Sequence, residues 1–468
     1  MKNKIICTLL VLLLFSFAGI AYMQFLKEGQ PVEVKDNGAS SNSQNPIVVA
    51  DKLYIPAGKE LAIYHENVVI GYENYRGRTS ITILPGGKET GRATKIKPSL
   101  EQIGTTISGV VTIANSTFET EFSKPFSIIV TNPSNNAAAN VQHIGDSFTN
   151  GMFFVRVLKS TSTLKNLTFS GNRSGRFSRK TVRSEGQGGW TMTAFHTVDY
   201  RGYLSPFMQP EKPGYLYYGK TDFWIDANKK SPSYNAKLFE ETKKKFDPYT
   251  GRKITPETGD VMGDKGGYIL WNGSSWASIA ASVFGGFSFS YGKYRQAWNI
   301  PAPDILHVML GTNDFFHATE SDFQSKYFDY KKKFDILIAS AKADTPSVKV
   351  IIGIPISSGR EGEWGTLKTE GAKHAYQLLA HRLNADYGKR EAENIYVLDY
   401  HSSLDRVYGF KNEYEPPFED YSGLPVKKDH KVDVSHPSMD GHKQMGNAYM
   451  GLIQLLRGAN ANAGLVKQ

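Results

Sequence analysis

Short apolar runs broken by turn residues dominate the chain from about residue 47 to residue 130. They are rich in β-branched side chains and are bounded by Gly, Pro and Asn, a pattern that is typical of β-strands. The clearest of these runs cover residues 60–64, 80–84, 109–113 and 125–130. Strands this short, with turns between them, predict a small all-β, sandwich-like domain over residues 47–131.

A second pattern starts after residues 131–140, whose small and polar side chains indicate a domain boundary. Apolar runs typical of buried strands now alternate with segments of helical spacing. Strands are predicted at residues 303–310, 348–354 and 395–398, and helices at residues 323–337, 371–387 and 440–456. The alternation predicts a second domain over residues 141–468, with an α/β fold and a parallel sheet covered by helices on both faces.

The alternation stops between residues 191 and 301, where the sequence is aromatic, glycine-rich and lysine-rich. We interpret this stretch as a long insertion with little regular structure. Insertions at the ligand face of an α/β sheet commonly shape the binding cleft. Its tryptophans could stack on a sugar, although burial of apolar surface is the simpler interpretation for each of them. They are Trp224, Trp271, Trp276 and Trp298.

Residues 1–21 consist of a short basic region followed by an apolar one, which is typical of a secretion signal. We expect this signal peptide to be cleaved; an uncleaved inner-membrane anchor is the alternative, because the apolar run nearly reaches spanning length. Residues 22–46 are polar and predict a flexible linker. The single cysteine, Cys7, lies in the apolar region, so the processed chain would carry no disulfide. The protein is therefore expected to be exported to the periplasm, the cell surface or the medium.

Composition narrows the classes of function that remain. At 468 residues the chain is longer than one domain usually requires, and its 40% hydrophobic content excludes a disordered protein. The net charge of +10 comes from Lys and Arg spread along the chain, with only short basic runs, so we predict no nucleic-acid partner. The sequence shows no metal-ligand spacing and no complete phosphate loop, so neither a metal nor a cofactor is predicted.

A serine at the end of the first strand of the second domain is the first candidate for chemistry. Residues 141–151 read as an apolar strand that ends at Gly145 and continues as Asp146 and Ser147. The carboxyl end of a strand in an α/β sheet faces the crevice where such folds bind ligands, so Ser147 is a candidate nucleophile. A nucleophilic serine also requires a base, an orienting acid and an oxyanion hole.

Three later stretches meet these requirements. Residues 185–191 form a glycine-rich turn that exposes backbone N–H groups. Asn313 directly follows a predicted strand, which brings it to the same sheet edge as Ser147. Asp433 and His436 then place an acid and an imidazole three residues apart. Each stretch alone could be a turn, a helix cap or a surface pair, but their joint occurrence is hard to explain by turns alone.

In this order the four stretches resemble the sequence blocks of the SGNH, or GDSL-type, hydrolase family, over about residues 141–456. The resemblance implies an SGNH-type three-layer α/β/α sandwich with a flavodoxin-like parallel sheet. It also implies a catalytic triad of Ser147, Asp433 and His436, and an oxyanion hole formed by Ser147, Gly189 and Asn313. In such a triad the histidine accepts the proton of the serine, and the aspartate fixes the tautomer of the imidazole.

The sequence departs from the family pattern in ways that affect these assignments. Gly188 precedes Gly189, so either could donate its N–H; we choose Gly189 because Gly-x-Thr matches the family block better. Phe148 stands where leucine is common, which should affect packing more than chemistry. His430 is a rival base, but it lacks the Asp-x-x-His spacing of His436.

The expected function is that of an exported serine esterase which removes O-acetyl or other short acyl groups from a carbohydrate. A lipase or phospholipid acylhydrolase is one alternative, and a non-catalytic polysaccharide-binding protein on a hydrolase scaffold is another. The expected partner is a small-molecule or polysaccharide ester, and contact with a membrane is expected only through an uncleaved N-terminal segment. For the all-β domain, a spacer is favoured over a carbohydrate-binding accessory.

Overall fold

The computed structural model describes most of the chain after residue 44, and these residues belong to one compact unit. The described residues are 45–151, 153–156, 165–173, 182–200, 203–220, 245–246, 253–254, 257–264, 267–359, 373–410 and 435–457. The expected signal peptide and most of the expected linker lie outside the described residues, as do Trp224, His430 and Asp433. Within the described part, no helix is long and apolar enough to cross a membrane.

Residues 45–131, which we call the β segment, consist of short strands and two short 3-10 helices. The strands are β1 (Lys52–Pro56), β2 (Leu61–Tyr64), β3 (Thr79–Leu84), β4 (Lys88–Glu89), β5 (Ala93–Ile96), β6 (Thr106–Ala114) and β7 (Thr120–Thr131). They form one sheet of order β1-β7-β6-β3 and another of order β2-β5-β4. Buried and exposed residues alternate along β3, so its apolar side chains face a shared core. That this segment is a separate domain remains a prediction.

The chain then enters the central sheet and the first site-bearing helices. These elements are β8 (Ala139–Gly145), α1 (Ser147–Gly151), α2 (Phe153–Arg156), β9 (Leu167–Ser170), β10 (Glu185–Gly186) and α3 (Met192–Phe195). Thr191 begins α3, and its side chain accepts a hydrogen bond from the N–H of Ala194, which caps the helix.

The expectation of little regular structure between residues 191 and 301 is wrong for the described part of this stretch. Its elements are β11 (Asp199–Tyr200), β12 (Tyr203–Leu204), β13 (Met208–Pro210), β14 (Leu216–Lys220), β15 (Lys245–Phe246), β16 (Lys253–Ile254), β17 (Asp260–Asp264), β18 (Gly267–Trp271), β19 (Trp276–Ile279), β20 (Phe287–Phe289) and α4 (Tyr291–Trp298). Strands β14, β17, β18 and β19 form a sheet, and β13 pairs with β20. The partners of β13 and β14 lie far away in the sequence, so a local pattern does not reveal them.

The remaining elements complete the α/β part. They are β21 (Ile305–Met309), α5 (Thr312–Phe315), α6 (Glu320–Asp344), β22 (Lys349–Ile354), α7 (Lys373–Tyr387), β23 (Ile395–Asp399) and α8 (Met439–Leu456). The predicted strands and helices of this part lie close to these bounds. Helix α6 begins at a capping box, in which Thr319 and Asp322 each accept a hydrogen bond from the backbone N–H of the other.

The described strands of the central sheet are all parallel, which confirms the predicted α/β fold with a parallel sheet. The spatial order is β10-β8-β21-β22-β23, and β9 pairs with the first half of β8 on the same side as β10. Counted in chain order with β9 and β10 sharing one edge, this is the order 2-1-3-4-5, in which ligands bind at the carboxyl ends where the strand order reverses. That switch point lies between β8 and β21.

Different helices cover the two faces of this sheet, because alternate side chains of each strand point to opposite sides. On one face Val308 and Ile352 share a core with Phe334 of α6 and Leu379 of α7. On the other face Ile351 and Leu398 share a core with residues of α8, among them Met445, Tyr449 and Leu452.

Two histidines interrupt the apolar core on the α8 face. His143 of β8 and His307 of β21 are fully buried register partners, with ring centroids 5.2 Å apart. His143 Nε2 lies 3.0 Å from the Tyr449 hydroxyl, and His307 Nε2 lies 3.2 Å from the Tyr400 hydroxyl. Burial lowers the pKa of both imidazoles, to about 3 for His307, so both are neutral in the folded protein near pH 7.

Candidate active site

Ser147 and His436 are brought together although 289 positions separate them in the sequence. Ser147 is the first residue of α1, just after β8, and His436 lies shortly before α8. The Nε2 atom of His436 lies 2.9 Å from Oγ of Ser147. The rings of His436 and Phe148 pack at a centroid distance of 5.4 Å. This is the arrangement in which an imidazole can take the proton of an attacking hydroxyl.

The turn from β8 into α1 depends on Gly145. A Cβ atom there would lie 2.1 Å from the Thr149 hydroxyl oxygen and 2.5 Å from the carbonyl oxygen of Met309. Any side chain would therefore push α1 away from β21, the strand that leads to Asn313. Gly145 is therefore required because α1 and β21 approach each other closely, and not because its backbone adopts an unusual angle.

The glycine-rich turn lies directly beside Ser147. Strand β10 pairs with the end of β8, and the N–H of Gln187 donates to the carbonyl of Gly145 at 2.9 Å. Gly189 has a φ of 76°, in the left-handed region that favours glycine, and a Cβ built on it would have no heavy atom within 4 Å. Its backbone conformation, and not a lack of space, therefore requires glycine. Both Gly188 and Gly189 lie in this turn.

Asn313 connects the third block to this turn. It lies in α5, and its side-chain Nδ2 donates to the carbonyl oxygen of Trp190 at 3.0 Å. The neighbouring Asp314 accepts the N–H of Met192 on Oδ1 at 2.9 Å. An amide NH2 group carries two hydrogens, so Asn313 can hold the residue next to Gly189 and still donate to a ligand. The first three blocks are therefore joined to one another by hydrogen bonds.

Asp433, the expected acid partner of His436, lies outside the described residues, as does the rival base His430. The expectation that Asp433 completes a triad therefore stays a prediction. Of the residues assigned from the sequence, the structure describes Ser147, Gly189, Asn313 and His436.

Two carboxyls with raised pKa values, Asp146 and Asp314, were not identified from the sequence. Burial raises the pKa of Asp146 to about 6, although the N–H of Phe148 donates to its Oδ1 at 3.1 Å. Burial also raises the pKa of Asp314, to about 7; the hydrogen bond from Met192 opposes this rise, and the charge of Asp146 adds to it. The available signal was their position: each is adjacent in sequence to an assigned residue, Ser147 or Asn313.

A third buried carboxyl ties the insertion to the glycine-rich turn. Glu185 of β10 accepts the N–H of Asn172 on Oε1 at 2.6 Å and also accepts the hydroxyl of Tyr294 in α4. Burial raises the pKa of Glu185 to about 7. Gln142 of β8 donates in turn to the Tyr294 hydroxyl at 3.0 Å, so α4 is bonded to both strands that precede the site.

The tryptophans of the insertion differ in their surroundings. Trp298 is buried and meets the ring of Tyr218 edge to face at 5.4 Å, so it belongs to the core. Trp271 and Trp276 are half-buried register partners across β18 and β19, with ring centroids 5.5 Å apart. This pair remains a candidate platform for a sugar.

Among the described residues, no group of three or more His, Cys, Asp or Glu side chains could hold a metal ion.

The region that contains these residues is similar to a known protein family and to solved structures. A family model described as GDSL-like Lipase/Acylhydrolase matches residues 141–449, which is more than half of the chain. The comparison with curated proteins finds no match.

The solved structures that resemble the chain do so at low identity. A carbohydrate esterase family 3 protein from Talaromyces cellulolyticus is 14% identical, with 69% of this chain and 100% of that chain covered and a TM-score of 0.31. The acetylxylan esterase Axe2 from Geobacillus stearothermophilus is 12% identical, with 68% and 95% covered and a TM-score of 0.27. A family two carbohydrate esterase from Clostridium thermocellum, in complex with cellohexaose, is 11% identical, with 86% and 93% covered and a TM-score of 0.28.

Proposed function

The chain belongs to the GDSL-like lipase/acylhydrolase family and is a carboxylic ester hydrolase, and from this premise we propose that it removes acetyl or other short acyl groups from a carbohydrate, with Ser147 as the nucleophile. The observation that carries the assignment of the nucleophile is the 2.9 Å contact between Ser147 Oγ and His436 Nε2 at the carboxyl edge of the sheet.

In the proposed reaction His436 Nε2 accepts the proton of Ser147 while Oγ attacks the carbonyl carbon of the ester. The resulting oxyanion is held by the N–H groups of Ser147 and Gly189 and by the side-chain amide of Asn313. The carbon–oxygen bond to the alcohol then breaks, and His436 returns the proton to the leaving oxygen. Water, activated by the same imidazole, cleaves the acyl-enzyme and restores the serine. Asp433 is proposed to hold the other imidazole nitrogen of His436.

The proposed substrate class rests on an aromatic pair in the insertion and on the expected signal peptide. The half-buried pair of Trp271 and Trp276 offers an aromatic surface of the kind that stacks on sugar rings. The expected signal at residues 1–21 would place the enzyme outside the cytoplasm, where polysaccharides occur. We therefore propose an exported esterase that acts on an acylated glycan.

The test compares the wild-type protein with Ser147→Ala on short-chain aryl esters and on a panel of acetylated glycans. Ser147→Ala should lose activity, and a fluorophosphonate should label the wild-type protein but not this variant. Ser108→Ala, on the exposed face of β6, is the matched control and should be labelled normally. Equal activity of Ser147→Ala and wild type would refute the role of the serine. Preference for long-chain esters would select a lipase, and absence of labelling would select a non-catalytic binding protein.

A further inference from the structure

The loop that follows β23, residues 400–410, is bonded to the segment that carries His436. We call it the support loop. The carbonyl of Gly409 accepts the N–H of Ser438 at 2.8 Å, and Phe410 forms an isolated β-bridge with Pro437. A Cβ atom on Gly441 in the first turn of α8 would lie 2.1 Å from the Gly409 carbonyl oxygen. The residues just after His436 are therefore packed tightly against the end of the support loop.

The other side of the support loop is held by the β segment. Asn67 is fully buried, and its Nδ2 donates to the carbonyl oxygens of His401 and Leu404, both at 2.8 Å. The N–H of Tyr64 donates to the carbonyl of Ser402 at 3.0 Å. The β segment thus satisfies backbone groups of this loop that would otherwise be buried without a partner.

Arg92 forms the charged part of this contact. Its Nη2 donates to Asp405 Oδ1 at 2.9 Å and lies 3.4 Å from Glu66 Oε1, and the side chains of Arg92 and Asp405 are only 15% and 11% exposed. The Arg92 guanidinium carbon also lies 5.5 Å from the ring centroid of Tyr408 and 5.7 Å from that of Tyr64. Removing one member of an ion pair that is largely shielded from solvent leaves the other charge without its partner, which is strongly unfavourable.

Asp405 transmits this contact to the histidine segment. Its Oδ1 accepts the N–H groups of Val407 at 2.9 Å and Tyr408 at 3.1 Å, and its carbonyl accepts the N–H of Gly409 at 2.9 Å. The carbonyl of Gly409 in turn accepts the N–H of Ser438. A continuous series of hydrogen bonds therefore runs from Arg92 to Ser438, which lies two positions after His436.

We propose that Arg92 is a positioning residue for His436: by pairing with Asp405 it fixes the support loop, against which the segment of His436 is bonded. The β segment then helps to position a residue of the active site and is not only a spacer. This inference rests on the proposed role of His436 as the base. Arg92 does not have to touch the substrate, so its loss should affect turnover and not substrate binding.

The experiment replaces Arg92 by methionine in the full-length protein. A misplacement of reacting groups by about 1 Å can cost about a hundredfold in rate. We therefore expect kcat to fall by about tenfold to a hundredfold, with KM unchanged. Labelling of Ser147 by a fluorophosphonate should slow by a similar factor, because it requires the same base. Arg92→Lys should recover part of both rates, because an ammonium group can still neutralise Asp405.

Arg78→Met is the matched control. Arg78 also lies in the β segment, donates through Nη1 to the Ala114 carbonyl at 2.9 Å and has its guanidinium carbon 5.6 Å from the ring centroid of Tyr75, but it pairs with neither Asp405 nor Glu66. This variant should lose folding stability without losing kcat when it is assayed well below its melting temperature.

Several outcomes would overturn the proposal. A kcat of folded Arg92→Met equal to that of the wild type would do so. So would a loss of kcat in Arg78→Met as large as that in Arg92→Met, or a rise in the KM of Arg92→Met without a fall in its kcat. If Arg92→Met does not fold, wild-type kcat in both Arg92→Lys and Asp405→Asn would be decisive against it. An active Ser147→Ala would instead refute the proposed function itself, whatever the Arg92 variants do.

Discussion

Replacing Asp314 by asparagine should make the folded protein less sensitive to rising pH. The Oδ2 atom of Asp314 is buried, and burial raises the pKa of the carboxyl to about 7, with a further contribution from the charge of Asp146. The folded protein therefore holds Asp314 protonated under mildly acidic conditions. Above the raised pKa it must accommodate a buried carboxylate, whereas the unfolded chain ionises that group in water without this cost.

The sign and the size of the effect follow from this difference. A folded-state pKa above the unfolded value contributes stability that is fully present below the unfolded value and is lost as the pH rises through the folded pKa. For Asp314 the ordinary pKa is 3.8 and the pKa in the folded protein is about 7. At about 1.4 kcal/mol per unit, the free energy of unfolding should fall by an amount on the order of 4 kcal/mol over that interval. Asparagine cannot ionise, and its carbonyl oxygen can still accept the N–H of Met192.

Urea unfolding of the wild type and of Asp314→Asn, from about pH 4.5 to about pH 8.5, measures this effect. The free energy of unfolding of the variant minus that of the wild type should increase with pH and level off above the raised pKa. Asp440→Asn is the control, because it removes a carboxylate that is exposed at the start of α8. Parallel pH profiles for Asp314→Asn and the wild type would refute the assignment of a raised pKa to Asp314.

Two further predictions concern the site and the core. Asn313→Ala should lower kcat by about a hundredfold or more, because it removes one proposed donor to the oxyanion; unchanged kcat in steady-state assays on an aryl ester would exclude Asn313 from the oxyanion hole. Because the pKa of His307 is lowered to about 3, its neutral form favours the folded state, and this stability is lost as the pH falls below the unfolded value. Urea unfolding of His307→Gln should therefore show a shallower loss of stability, by about 1.4 kcal/mol per pH unit, between about pH 6 and about pH 4; an equal slope in both proteins would contradict this.

The sequence allowed the parallel sheet to be predicted because its strands are uniformly apolar and alternate with helices of regular spacing. The run at residues 348–354 is found as β22 (Lys349–Ile354), and the helix predicted at 440–456 is found as α8 (Met439–Leu456). The convergence of Ser147 and Asn313 was predictable for the same reason. The carboxyl ends of neighbouring parallel strands meet at one edge, whatever loops lie between them.

What could not be predicted depends on contacts between distant parts of the chain. Strand β14 pairs with β17 across more than forty residues, so its own short run gave no sign of its partner. The N–H that Asp314 accepts comes from Met192 at the start of α3, 122 positions earlier in the chain. The pairing of Arg92 with Asp405 likewise joins residues 313 positions apart, and an isolated arginine in a β segment gives no sign of its partner.

The site residues therefore differ in what fixes them. Ser147 and Asn313 follow strands of the central sheet, and Gly189 lies in the turn after β10, so the sheet itself sets their positions. His436 follows no strand of that sheet in the described chain; it precedes α8, and the contacts of its neighbours are with the support loop. A change in the sheet would disturb Ser147 and the proposed oxyanion donors together, whereas loss of Arg92 should displace His436 alone. The Ser147–His436 distance is thus the part of the proposed machinery that depends most on the β segment.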